Sequence, residues 1–112
     1  MMEPWTEGTK PWYEKGYSDP LWVTAAQVVS RVPCEIAALL LVGDVASTIA
    51  TLYDGTNAAS PVLLVMNAIA NDQAPFTPVE PILCKRGLYV VVDASVKGLL
   101  VMWRPLPAGW RP

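Results

Sequence analysis

The chain alternates between short apolar blocks and clusters of proline, glycine and aspartate. Six blocks have strand length: "LWVTAAQVVS" (21–30), "CEIAALLLV" (34–42), "STIATLYD" (47–54), "PVLLVMNAIA" (61–70), "GLYVVVDA" (87–94) and "GLLVMWRP" (98–105). The last two are the clearest strand candidates, with β-branched and aromatic residues that suit a pleated surface. Between Pro33 and Pro75 only Pro61 intervenes, and between Pro81 and Pro105 there is none, so regular structure is expected in those gaps. Arg31 to Pro33 reads as a corner. Asp54-Gly55 reads as a reversal, and the distance to Pro61 makes it a hairpin with a long loop. "DASVKG" has the turn residues to join two neighbouring strands.

"EIAALLLVG" and "VLLVMNAIAN" hold enough Ala and Leu for short helices, and period alone cannot assign them. Their length and flanking patterns favour strands. About seven to eight short strands at even spacing predict an all-β fold, a single jelly-roll-like β-sandwich over residues 21–104. An extended arm (1–20) would precede it and a proline-rich tail (105–112) would follow.

Side chains alternate across a strand. Leu88, Val90 and Val92 therefore oppose Tyr89 and Val91; Leu100 and Met102 oppose Leu99, Val101 and Trp103; Val62, Leu64 and Met66 oppose Leu63 and Val65. Each strand has two apolar faces. One fills the sandwich and the other needs a cover. The sequence does not say which is which; Tyr89, Val91, Leu99, Val101 and Trp103 are taken as the outer, interface-forming set.

Composition sharpens this picture. Charged residues make up 16% of the chain, well below the usual quarter. Between Ile36 and Asn71 only Asp44 and Asp54 carry charge. Interface cores are depleted in charge, so association of copies of the chain, with a trimer as the expected state, would relieve the shortage. A net charge of −2 offers no electrostatic footprint for nucleic acid. The apolar run Ile36–Val42 is too short to cross a membrane, and "MMEPWTEGTKPWYEKGY" lacks a signal-type apolar core.

Candidate chemistry is sparse. Histidine is absent, which removes the commonest general base and metal ligand. Asp44, Asp54, Asp72 and Asp93 stand beside Gly, Ala or Asn and read as solvated turn residues, with Asp54 and Gly55 forming the sharpest turn. Cys34 and Cys84 read as buried thiols, with a disulfide as the alternative. No catalytic, metal or cofactor site is expected, and no enzyme.

The arm carries Trp5, Trp12, Tyr13 and Tyr17 among prolines and glycines, and disordered tails are poor in such rings. With Trp22, Trp110 and Arg111 these residues are candidate contacts, since Trp, Tyr and Arg anchor protein interfaces. A carbohydrate platform is the alternative use of tryptophans on a β-sandwich.

"TLYDGTNAASPVLLVM" and "FTPVEPILCKRGLYVVVDASVKGLLVMWRP" resemble small β-sandwich proteins among the structural genes of tailed bacteriophages, in Leu52–Thr56, Pro81–Val90 and Val101–Arg104. The resemblance spans about residues 34–104 and concerns turns and core. It implies a virion component, assembled in the host cytoplasm: a decoration or cement protein bound to the major capsid protein, or a neck, tail or fibre subunit.

Overall fold

The computed structural model describes residues 20–107, which form nine strands and no helix. They are β1 (Leu21–Val23), β2 (Gln27–Ser30), β3 (Cys34–Gly43), β4 (Thr48–Tyr53), β5 (Val62–Ala68), β6 (Gln73–Phe76), β7 (Ile82–Cys84), β8 (Leu88–Val92) and β9 (Val96–Pro105). One sheet runs β1-β9-β3-β6, with β7 also on β3; the other runs β2-β8-β4-β5. Every pairing is antiparallel.

β6 and β7 occupy successive lengths of one edge of β3, pairing with Leu39–Val42 and Cys34–Ile36 respectively. Counted as one interrupted strand, they complete a nested scheme. β1 pairs with β9, β2 with β8, β3 with β6/β7, and β4 with β5. That is a long hairpin folded over itself, and the molecule is a jelly-roll sandwich.

Three boundaries differ from the sequence reading. Residues 21–30 form two strands in different sheets, with the chain crossing at Thr24–Ala26. "DASVKG" joins β8 to β9 across the two sheets rather than as a hairpin. β6 contains Pro75, which a central strand would not accept; at the sheet edge its missing N–H is harmless.

The core is built from the facing sides of both sheets. Val23, Cys34, Ile36, Leu39, Leu41, Leu99 and Val101 come from one, and Ala50, Leu52, Met66, Ala68, Leu88 and Val90 from the other. β3 changes parity part-way: Cys34 and Ile36 point inward, then Leu39 and Leu41 do. Ala37 is the extra residue, because Ile36 pairs with Trp103 and Ala38 with Met102. A bulge of this kind adds one residue to one strand and resets the faces beyond it.

Candidate functional site

The outer side of the four-stranded sheet is the surface that needs explaining. None of its four strands contains a charged residue. The register sets Val28, Tyr89, Tyr53 and Val62 in one cross-strand row, and Val91, Thr51 and Val65 in the next. Tyr53 and Tyr89 are in ring contact, with centroids 5.9 Å apart and planes tilted by 45°. Ile49 continues the face beyond Thr51. Val62 and Val65 are 56% and 60% exposed, large values for valines on a regular strand.

Both ends of this sheet are fixed by aspartates. Asp54 is not the solvated turn residue that the sequence suggested: it is buried. Its N–H donates to the Pro61 carbonyl at 2.8 Å, closing the β4–β5 loop. Its Oδ1 accepts from Arg86 N at 2.8 Å, and the Arg86 guanidinium lies 3.9 Å from Oδ2. The neighbouring Gly87 has φ +138°, and a Cβ there would meet the Ser30 carbonyl oxygen at 2.6 Å and that of Gly55 at 3.2 Å. Glycine is required at that approach.

At the other end, exposed Asp93 accepts from Thr48 Oγ1 at 2.5 Å, Ile49 N at 3.0 Å and Ser95 N at 3.0 Å. The Thr48 hydroxyl holds its carboxyl below the usual carboxylate range, against the opposing effect of burial and with further help from the Ile49 and Ser95 amides. The two aspartates thus position the edges of an apolar platform.

The predicted outer set divides. Tyr89 and Val91 are on the outer face, half-buried. Leu99 and Val101 are fully buried, and Trp103 packs against the core, so these three belong to the inner face of the opposite sheet. Met102 and Leu100 take the outward positions of β9 instead. Val62 separates from Leu64 and Met66 because Leu63 is an extra residue between the pairs Leu52–Leu64 and Tyr53–Val62.

Trp22 is 47% exposed and lies on the outer side of the five-stranded sheet. Its ring covers Gly98, where a Cβ would stand 2.0 Å from the indole. That side also carries the ion pair Arg104 Nε–Glu35 Oε1 at 2.5 Å, so it is apolar but not charge-free. Trp5, Trp12, Tyr13, Tyr17, Trp110 and Arg111 lie outside the described residues.

Sequence reasoning missed a polar cleft of about 330 Å³ between the β3–β4, β5–β6 and β8–β9 connections, lined by Val42, Gly43, Asp44, Asn71, Asp72, Gln73 and Lys97. Backbone bonds from Gly43 N to Asp72 O and from Asn71 N to Asp44 O, at 2.9 and 2.6 Å, stitch its walls. Among the described residues its lining includes no aromatic ring on which a sugar could stack. The loops that form it are distant in sequence, so only the topology could reveal it.

Cys34 and Cys84 are directly opposed in the β3–β7 register, and both are fully buried free thiols. The hydrogen bond from Cys84 lowers the Cys34 thiol's pKa, while the Cys34 contact, burial, and the nearby Asp54 and Glu35 carboxylates push Cys84 far upward.

Comparison of the chain with protein-family profiles, curated proteins and solved structures finds no significant match.

Proposed function

We propose that this jelly roll is a non-enzymatic structural protein of a virus particle, a decoration or cement protein that works as a homotrimer. The observation that carries the reading is the uncharged outer face of the β2-β8-β4-β5 sheet. A second copy is the occupant we assign to it. Each chain carries a net charge of −2, and a face without charged strand residues lets like-charged copies meet without repulsion.

Two further points support it. Jelly rolls build many viral capsid domains, although a fold alone does not fix a function. The stretches Leu52–Thr56 and Pro81–Val90 resemble those of phage structural proteins. In this reading the Tyr53–Tyr89 platform packs against sister subunits, and Trp5, Trp12, Tyr13 and Tyr17 dock on the shell protein. A protein that binds only the assembled shell stabilises it by mass action.

The test is the native mass of the full-length chain, measured by light scattering across a dilution series. A trimer that persists on dilution supports the reading. A monomer at every concentration rejects self-association. A second reading, a carbohydrate-binding module, draws on the lectins that share the architecture and on the hydrogen-bonding groups of the cleft at Asp44, Asp72 and Lys97, although no described residue of its lining offers a stacking ring. Glycan-array binding by a monomer, lost on Asp72→Ala, would put that reading first.

A further inference from the structure

Cys34 and Cys84 are the only pair of nucleophilic side chains that the described fold holds face to face. They are Cα partners across the antiparallel β3–β7 ladder, and both side chains enter the sealed interior. Opposed residues in such a ladder have Cα atoms about 4.5–5.5 Å apart. A disulfide spans about 4.4–6.8 Å between Cα atoms. The Cα separation expected of a directly opposed pair thus falls within the range that a disulfide spans.

We propose that Cys34 and Cys84 form an intramolecular cross-strand disulfide when the chain meets an oxidising environment, clamping β7 to β3. The inference is independent of the assembly reading. The co-reactant is a small-molecule disulfide of the glutathione class. The Cys34 thiolate attacks one sulfur of that disulfide, forming a mixed disulfide and releasing one thiolate. Cys84 then loses its proton, attacks the Cys34 sulfur and expels the second thiolate. The protein gives up two protons and two electrons, and the small molecule is reduced to two thiols.

Access comes from β7 itself. It has three residues, pairs among the described strands only with β3, and follows a loop containing Pro78, the fully exposed Val79 and Pro81. Short edge segments with few bonds open locally before the domain unfolds. Opening β7 uncovers both sulfurs, and its return to register brings them together. In the closed state burial, and after it the nearby Asp54 and Glu35 carboxylates, disfavours a thiolate. Closing the bond fixes a three-residue strand at the edge of the five-stranded sheet and joins residues far apart in sequence, which restricts the unfolded chain.

The experiment incubates the full-length reduced chain with oxidised glutathione a few degrees below its melting temperature, then alkylates it in denaturant. The expected product has lost the mass of two hydrogen atoms and yields one peptide pair joining positions 34 and 84. It remains unlinked to other chains on a non-reducing gel. Its melting temperature rises by about 10 °C or more, and dithiothreitol reverses the rise. Cys84→Ala abolishes the rise; should that variant not fold, the peptide map of the native chain decides. Two alkylated cysteines, a stable glutathione adduct, or a disulfide between chains as the end product would each overturn the proposal.

Discussion

Tyr53 and Tyr89 stand opposite each other on β4 and β8, their rings 5.9 Å apart, on the side of the sheet that the core does not use. An aromatic cross-strand pair adds roughly 0.5–1.5 kcal/mol beyond its area. A double-mutant cycle with Tyr53→Ala and Tyr89→Ala should give a coupling energy of about 1 kcal/mol in chemical denaturation. Additive single effects would mean that the rings contribute only separately.

Val91 and Val101 test the assignment of faces. Both are mid-strand valines, but Val91 is outward and half-buried whereas Val101 is fully buried. Val91→Lys should keep the β-sheet circular dichroism signal and most of the melting temperature while breaking the proposed oligomer. Val101→Lys should unfold the domain, since an unpaired charge in the core costs several kcal/mol, comparable to the whole stability of a small domain.

Asp54 should behave as a structural residue rather than a turn ornament. Asp54→Ala leaves the Arg86 N–H without its acceptor and frees the β7–β8 turn from the β4–β5 loop. The expected loss is about 2 kcal/mol in denaturant unfolding. Asp54→Asn keeps an acceptor and should recover most of it.

Asp93 links stability to pH. Its folded carboxyl titrates below the ordinary range, chiefly through Thr48, so its contribution is present above the unfolded value of about 4 and is lost as pH falls through the folded one. The melting temperature of the native chain should therefore fall on acidification below about pH 4. Asp93→Asn should start lower at neutral pH and fall less over the same window. Parallel curves would remove Asp93 from the acid response.

The sandwich was legible in the sequence because turn residues separate its apolar blocks. β8 was also legible in detail: Leu88, Val90 and Val92 face inward, and Tyr89 and Val91 outward, as strict alternation requires. β3 and β5 were not, because Ala37 and Leu63 insert one residue each and a period of two fails across them. β9 alternates from Gly98 onward, past the register shift at Lys97, but both sides are apolar, so nothing local distinguishes Leu99 and Val101 from Leu100 and Met102. β6 was hidden by Pro75, which reads as a loop unless the edge position is known. The burial of Asp54 depends on Arg86, far along the chain, and the Cys34–Cys84 pairing on register. Neither leaves a local signal.

The most direct test of the assembly claim replaces Tyr89 with a photoreactive benzophenone amino acid and irradiates the full-length chain in dilute solution. The same group at Val79, a fully exposed loop position, is the control. Covalent oligomers from position 89 and not from position 79, with adducts mapping to another copy of the chain, are the expected result. Only intramolecular adducts at position 89, or equal yields at both positions, would contradict the claim that this face is covered by sister subunits.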